Sequence, residues 1–191
     1  IAWVDGNDPV HKKKRHEYAG VKELSNDEVG GDIRFTSVGE IRFCVASLLR
    51  FAPFLRKIFI VTDGQDPGLD DFVDGFFPSR TTQIEIVDHK VIYAGYESCL
   101  PVFNSLSIET MLWRIPDLSE HYVYLNDDFL IVSPVVETDF FRDGKAVCYA
   151  EPFSVPFARF VRAVKPRRKG HKIFGFKDSM LNALAIIGES S

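Results

Sequence analysis

Two adjacent carboxylates, Asp127 and Asp128, interrupt an apolar segment in the sequence YVYLNDDFLI, residues 122–131. Like charges this close repel each other unless a cation or another positive group compensates them. Magnesium and manganese ions take oxygen ligands, and they commonly join one or two carboxylates to the phosphates of a substrate. The pair therefore indicates a divalent-cation site. A plainer interpretation stays open, in which one aspartate turns the chain while the other faces water.

The N-terminal sequence combines an aromatic ring, a carboxylate and a flexible turn within a few residues. Trp3 and Val4 precede Asp5 and Gly6, and the turn formers continue to Pro9. The base and ribose of a nucleotide could use all three features. The alternative is a core tryptophan followed by an ordinary Asp-Gly turn.

Three further side chains could contact a phosphate or move a proton. Arg42 falls at the rim of the apolar face of a predicted helix, near its N-terminal end. Asn104 and Ser105 begin a second predicted helix, where N–H groups could donate to a phosphate. His89 follows an apolar run and could act as a base or as a ligand. Arg42 could equally be solvated, and His89 could be a structural group at the end of a strand.

Short apolar runs that end in polar turns predict the strands that position these groups. The runs cover residues 1–4, 57–62, 84–89 and 122–125, and Asp5, Asp63, Asp88 and Asp127 lie at or just beyond their ends. In parallel sheets, ligands bind beyond the carboxyl ends of the strands, so these carboxylates could share one site.

Two helices are predicted between the strands. Ser37 to Glu40 has the form of a capping box, and apolar residues from Val38 to Ala52 recur at helical spacing before Pro53. The second helix runs from Asn104 or Ser105 to Ile115. Strands that alternate with helices predict an α/β fold with a largely parallel central sheet flanked by helices.

Other segments carry weaker patterns. Charge dominates from His11 to Gly31, which predicts a flexible connection or a weak helix. The basic runs 12–15 and 167–169, the second within a basic loop at 165–172, could touch an anionic polymer, a phosphate or a membrane surface. Solvated loops are the default interpretation. Asp178 is predicted to cap a last helix that ends at Ile187, and Cys44 is predicted to be a small buried apolar residue.

Composition restricts the classes of function. The chain has 191 residues, of which 46% are hydrophobic, which is enough for one well-packed domain. The formal charge of −4 excludes a global positive field that would attract nucleic acid. Three dispersed cysteines fit neither a disulfide framework nor a zinc site and favour a reducing compartment. Because the sequence begins with Ile1 in a predicted strand, we interpret it as a piece of a longer protein.

Several segments together resemble the Stealth family of sugar-phosphate transferases, in the same order along the chain. The similarity runs from Ile1 to about Phe141, within the first two of the four blocks of the family. Its motifs are WVDGNDP at residues 3–9, the segment 42–63, LPVFNS at 100–105 with Ile108 and Glu109, IPDLSEH at 115–121, and YLNDDF at 124–129.

The resemblance implies transfer of a hexose-1-phosphate from a nucleotide-diphosphate sugar, UDP-hexose or UDP-N-acetylhexosamine, to a sugar hydroxyl. The product would be a phosphodiester-linked glycan such as capsular polysaccharide. The implied architecture is that of the GT-A-like nucleotide-sugar transferases, with Mg²⁺ or Mn²⁺ as cofactor. The implied site has Trp3, Asp5 and Gly6 near the nucleotide, Arg42 and Asn104 near the phosphates, and Asp127 and Asp128, with Asn126 adjacent, around the cation. Among these, Asp5, Arg42, Asp127 and Asp128 are the implied catalytic residues.

Two other functions stay open. A metal-dependent glycosyltransferase with a similar core would transfer the sugar without phosphate, and a noncatalytic module would bind a nucleotide or glycan without turnover. The third and fourth blocks of the family have no match in the chain, so the catalytic base could lie beyond Ser191. The expected location is the bacterial cytoplasm, with peripheral contact to the inner membrane, while a secretory-pathway lumen stays open.

Overall fold

The computed structural model describes residues 1–20 and 35–149. The chain divides into two compact units, Ile1–Val147 and Cys148–Ser191. The predicted basic loop at 165–172 and the predicted helix from Asp178 to Ile187 lie outside the described residues. The single domain that the composition predicts stays a prediction.

Five α-helices and four β-strands are defined in the described ranges, together with three short 3₁₀ turns. The helices are α1 (Pro9–Ala19), α2 (Glu40–Phe51), α3 (Asp70–Phe76), α4 (His89–Ile92) and α5 (Ser105–Glu109). The strands are β1 (Lys57–Thr62), β2 (Gln83–Asp88), β3 (Phe141–Arg142) and β4 (Lys145–Ala146). The 3₁₀ turns are Glu97–Cys99, Leu112–Arg114 and Glu137–Asp139.

The central pairing is parallel. Strand β1 pairs with β2 from Lys57 opposite Gln83 to Thr62 opposite Asp88, close to the predicted bounds. On the other side of β1, the N–H of Trp3 donates to the Val61 carbonyl at 2.9 Å. These contacts extend the parallel arrangement of β1 and β2 toward the N-terminal segment.

The two outer strands of the prediction are reduced to single bridges. Ala2 forms parallel bridges with Val61 on one side and Asn126 on the other. The N-terminal segment therefore lies between β1 and the chain at Asn126, and neither outer segment forms a continuous ladder. The predicted outer strands of full length were wrong, because the parallel sheet in the described ranges has two strands, β1 and β2. The α/β class with a small parallel sheet and helices is confirmed.

Helices cover both faces of this sheet. Ile58 and Ile60 pack in a buried cluster with residues of α2 and α3, including Leu48 and Val73. Val61 points the other way, into a second buried cluster that contains Ile92 of α4. Side chains that alternate along a strand reach opposite faces, so β1 requires apolar cover on each side.

Helix α2 confirms the strongest helical pattern in the sequence. Ile41, Cys44, Val45 and Leu48 are buried along one face. At its start, the carboxylate of Glu40 accepts from the Val38 N–H at 2.8 Å and from the Ser37 hydroxyl at 3.1 Å. Val38 itself is 80% exposed, so its predicted place on the apolar face was wrong, because it precedes the helix.

The charged segment after Pro9 begins with a well-defined helix. Asp8 accepts from the Val10 N–H at its start, Pro9 occupies the first turn, and Gly20 ends it with a φ of 69°. These residues satisfy the groups that a helix end leaves without partners. Local caps therefore define α1 where the apolar periodicity of the sequence is weak.

The second predicted helix is shorter than expected. Helix α5 ends at Glu109, and a 3₁₀ turn follows at Leu112–Arg114. The Thr110 hydroxyl donates to the Ser107 carbonyl at 2.8 Å, and the Trp113 indole donates to the Thr110 carbonyl at 3.1 Å. Such side-chain bonds compete with the helical ladder.

Candidate active site

A cavity of about 1240 Å³ opens at the carboxyl ends of the parallel strands. Asp63 follows β1, His89 follows β2, and the bridged segments contribute Trp3 and the pair Asp127–Asp128 to its lining. Of the four carboxylates that were expected to share one site, Asp63 and Asp127 line this cavity, and Asp5 and Asp88 do not.

The carboxylate pair differs in exposure between its two members. Asp127 is half-buried, whereas Asp128 is exposed. Burial, together with the Asp128 and Glu40 carboxylates, raises the pKa of Asp127 to about 6. A carboxyl group with this pKa lacks full compensation for its negative charge.

The backbone before this pair is held from two sides. The side-chain oxygen of Asn126 accepts from the Tyr124 hydroxyl at 2.7 Å. The carbonyl of Asn126 lies 3.8 Å from the Cys44 sulfur, which is buried in α2 as predicted. Burial and the nearby Glu109 carboxylate raise the pKa of Tyr124, so this phenol stays protonated as a hydrogen-bond donor.

The described ranges contain no group of three or more His, Cys, Asp or Glu side chains that could hold a metal ion. A cation beside Asp127 and Asp128 would therefore have no third His, Cys, Asp or Glu ligand among the described residues. Mg²⁺ is commonly bound in this way, by one or two carboxylates and substrate phosphates. The donor set fits a hard divalent cation, and the identity of the ion stays a prediction.

Of the three residues predicted to contact the nucleotide, only Trp3 lines the cavity. Trp3 is buried and lines the cavity, and its indole nitrogen has no hydrogen-bond partner among the described residues. Asp5 and Gly6 do not line the cavity. The Asp5 carboxylate accepts from the Asn7 N–H at 2.9 Å, and its backbone N–H donates to Gln65 at 3.0 Å. Its contacts in this structure thus organise the turn.

Gly6 is required by a close backbone approach. Its N–H donates to the Phe35 carbonyl at 2.7 Å. A Cβ atom at Gly6 would lie 2.0 Å from that same oxygen. The absence of a side chain therefore permits the turn to dock against Phe35.

Of the two residues predicted to contact the phosphates, Asn104 lines the cavity and Arg42 does not. Asn104 lines the cavity, where its side-chain oxygen accepts from the Leu106 N–H at 2.9 Å and caps α5. Its amide nitrogen can donate elsewhere. Arg42 is exposed on α2 and does not line the cavity.

A different arginine lies at the cavity. Arg15 of α1 is only 3% exposed, and its guanidinium lies 4.2 Å from the ring centroid of Phe35. The interpretation of residues 12–15 as a solvated loop was wrong, because these residues are helical and Arg15 packs inward. The signal was the spacing of His11 and Arg15, since residues four apart share one helix face.

Two buried histidines line the same cavity, and only His89 is a candidate from the sequence. His11 is 3% exposed and His89 is 5% exposed. The Nδ1 atom of each ring has no hydrogen-bond partner among the described residues. Burial lowers the pKa of both side chains, and the positive charges of Lys14 and Arg15 add to this effect at His11. Both imidazoles are therefore neutral near pH 7.

Comparison with known proteins identifies the family. The family model described as "Stealth protein CR2, conserved region 2" matches residues 34–148. A capsular polysaccharide phosphotransferase, WcwK, of Streptococcus pneumoniae is 37% identical over 143 residues, which are 75% of this chain and 40% of that protein. An exopolysaccharide phosphotransferase of Streptomyces coelicolor is 38% identical over 155 residues, 81% of this chain and 25% of that protein.

A longer alignment joins the chain to an exopolysaccharide phosphotransferase of Lactiplantibacillus plantarum. The two are 30% identical over 203 aligned residues, which cover 97% of this chain and 56% of the relative. The α/β fold, the cavity and these matches define a member of the Stealth family. The chain belongs to this family, and it spans 40% of the length of the pneumococcal relative.

Proposed function

We propose that the protein of which this chain is part transfers a hexose-1-phosphate from a UDP-sugar to a hydroxyl of a glycan acceptor. The product would be a phosphodiester-linked polysaccharide of the capsular or exopolysaccharide type. Membership of the Stealth family supports the class of reaction, because relatives at 30% to 38% identity carry the name of polysaccharide phosphotransferases. The observation that carries the proposal is the pair Asp127–Asp128 in a cavity that also contains Trp3, Arg15 and Asn104.

The proposed cation is Mg²⁺ or Mn²⁺, held by Asp127 and Asp128 together with oxygens of the donor. When bound, such an ion neutralises charge on the phosphate oxygens. The raised pKa of Asp127 supports this assignment, because an uncompensated carboxylate at a cavity gains most from a cation. The cation and the UDP donor are both proposals.

The remaining residues would bind and orient the donor. Arg15, with its guanidinium held over Phe35, carries a positive charge to the cavity wall and suits a phosphate oxygen. The amide nitrogen of Asn104 is a second donor in the lining. We assign the Trp3 ring, which is 8% exposed and borders the cavity, to contact with the nucleotide. Positioning and charge neutralisation supply most of the catalysis in phosphoryl transfer, which suits such a site.

Contact of Asp5 and Gly6 with the nucleotide, and of Arg42 with the donor phosphates, stays a proposal, because none of the three lines the cavity. Asp5 and Gly6 shape the turn after Trp3, and Arg42 lies on the first turn of α2. A GT-A-like arrangement of the whole catalytic domain is likewise proposed, as is a cytoplasmic location with peripheral contact to the membrane. No helix in the described ranges is long and apolar enough to span a bilayer.

The decisive experiment follows the β-phosphate of the donor. The parent protein is incubated with a UDP-sugar that carries ³²P at the β-phosphate, together with Mn²⁺ and an acceptor glycan. We expect the label in the glycan and unlabelled UMP as the released nucleotide. Label found in released UDP would instead show a glycosyltransferase, and donor binding without turnover would show a noncatalytic module.

A further inference from the structure

Part of the cavity lining is aromatic. We call His11, Tyr18, Phe35 and Phe103 the aromatic wall. The His11 ring lies 5.9 Å from the Phe35 ring and 5.5 Å from the Phe103 ring, measured between centroids. Tyr18 lies 5.5 Å from Phe103 in an edge-on arrangement. All four residues line the cavity that contains Asp127 and Asp128.

Tyr18 is the exposed member of the wall. It is 69% exposed, although its ring packs against Phe103. A tyrosine combines an apolar ring with a polar hydroxyl, so at a cavity wall it can pack on an apolar face and form a hydrogen bond at the same time. Tyr18 therefore offers a ring face and a hydroxyl to a molecule in the cavity.

Polar atoms accompany the rings in the cavity lining. His11 and His89 are both more than nine-tenths buried, and each has a ring nitrogen without a partner among the described residues. Such an atom costs roughly 1 to 3 kcal/mol when it stays unpaired, so its presence calls for an explanation. Asp63 adds a carboxylate, whose charge is balanced by Lys14 at 3.0 Å.

We propose that the aromatic wall, together with His89 and Asp63, binds a pyranose ring of the glycan acceptor. A pyranose presents apolar C–H groups on its faces, which pack on aromatic rings, and hydroxyls around its edge, which donate to imidazole and carboxylate acceptors. The assignment of this sugar to the acceptor rests on the proposed function. Binding of a sugar at the aromatic wall does not depend on it.

Acceptors for sugar hydroxyls lie beside the aromatic wall. The two imidazoles are neutral near pH 7, because burial lowers the pKa of each. The ammonium group of Lys14 forms an ion pair with the Asp63 carboxylate. A hydroxyl of the sugar would find an acceptor in a neutral imidazole or in the Asp63 carboxylate.

The test uses the full 191-residue chain and simple sugars as probes. Saturation-transfer NMR would measure binding of the methyl glycosides of glucose, galactose, mannose and N-acetylglucosamine. Calorimetry with UDP-N-acetylglucosamine and Mn²⁺ would measure donor binding in parallel. We expect at least one of the four glycosides to bind.

Two substitutions in the wall should weaken glycoside binding. Tyr18→Ala removes the exposed ring, and Phe103→Leu removes a ring while it keeps apolar volume. Each should raise the glycoside Kd about fivefold, as expected for loss of one stacking contact, and leave the donor Kd within about twofold. Phe76→Ala is the matched control, since Phe76 is 73% exposed, packs on Phe72 at 5.2 Å and does not line the cavity.

Three results would overturn the inference. They are the absence of binding by all four glycosides, glycoside binding that both wall variants retain, and a loss of donor affinity in Tyr18→Ala, which would assign the wall to the donor. None of them depends on the fate of the β-phosphate. A failure here is therefore distinguishable from a failure of the proposed function.

Discussion

Ala2 pairs in parallel with Asn126, the residue that immediately precedes the carboxylate pair. Because Ala2 also pairs with Val61, this single residue connects β1 to the chain that carries Asp127. The Cys44 sulfur, 3.8 Å from the Asn126 carbonyl, supports the same backbone from α2. The backbone next to the carboxylates therefore contacts two segments that are remote in sequence, the N-terminal segment and α2.

Replacement of the exposed carboxylate should separate cation binding from folding. Asp128→Asn removes one charge from the pair, so we expect the affinity for Mn²⁺ to fall about tenfold or more while the melting temperature in EDTA stays the same or rises. Calorimetric titration with Mn²⁺ and a thermal melt measure the two quantities. Asp70→Asn, at the exposed start of α3, is the control and should leave Mn²⁺ affinity unchanged. Equal Mn²⁺ affinity in wild type and Asp128→Asn would refute the metal assignment.

Truncation of Leu48 should destabilise the fold. Leu48 is 7% exposed and belongs to the cluster between α2 and the sheet. We expect Leu48→Ala to lower the free energy of unfolding by about 2 to 5 kcal/mol, measured by urea denaturation. Phe43 lies on the opposite side of the same helix and is 66% exposed. Phe43→Ala should change stability by less than about 1 kcal/mol, and equal losses in both variants would contradict the described core.

A methyl group at Gly6 should disturb the N-terminal turn. The added Cβ would lie 2.0 Å from the Phe35 carbonyl oxygen, so the Gly6–Phe35 hydrogen bond cannot survive without a backbone shift. We expect Gly6→Ala to cost about 2 kcal/mol or more in chemical denaturation. In contrast, Gly75 of α3 has open space around it, and Gly75→Ala should stabilise by up to about 1 kcal/mol. A Gly6→Ala variant with an unchanged free energy of unfolding would show that Phe35 does not approach this turn.

The two buried histidines should make stability fall as the pH decreases. Burial lowers their pKa in the folded protein, so below about pH 6.5 the unfolded chain binds protons that the folded chain does not. This stability is complete above the unfolded pKa and is lost as the pH falls through the folded pKa. The groups that act on the two rings are Asp8, Lys14, Arg15, Asp63 and Asp88.

Urea denaturation at about pH 7.5 and about pH 5.5 would measure this effect. The double variant His11→Gln/His89→Gln should lose less stability between the two pH values than wild type does. The raised pKa of Asp127 acts in the opposite direction, because its stability contribution increases as the pH falls through about 6. That contribution is present in both proteins and cancels in the comparison. Identical pH dependence in the two proteins would contradict the burial of the rings.

Thiol labelling should distinguish the three cysteines. Burial raises the pKa of Cys44 to about 11, whereas Cys99 and Cys148 are exposed. Because the thiolate is the reactive form, we expect Cys44 to resist a thiol reagent at about pH 8 until the chain is denatured. Mass spectrometry of labelled peptides would identify each site. Rapid labelling of Cys44 in the folded protein would contradict its place beneath Asn126.

Local sequence signals were sufficient where one physical cause dominates. The periodicity of α2 and the apolar run of β1 were predictable, because each element buries a regular set of side chains. The aspartate pair was recognisable because two adjacent like charges after an apolar run need compensation. Helix α3 was missed, since its seven residues bury little more than Val73. The extent of α5 was misjudged because Thr110 and Trp113 bond locally to the backbone.

The sequence by itself determined the family, the parallel α/β class and the carboxylates that lie after the strands. The tertiary structure decided which other groups share their cavity: Arg15 rather than Arg42, and His11 together with His89. Periodicity places a side chain on the face of its own helix, but it contains no information about which remote helix that face meets. The membership of a site assembled from distant segments therefore depends on packing, because only packing brings α1, the strand ends and the start of α5 to one cavity.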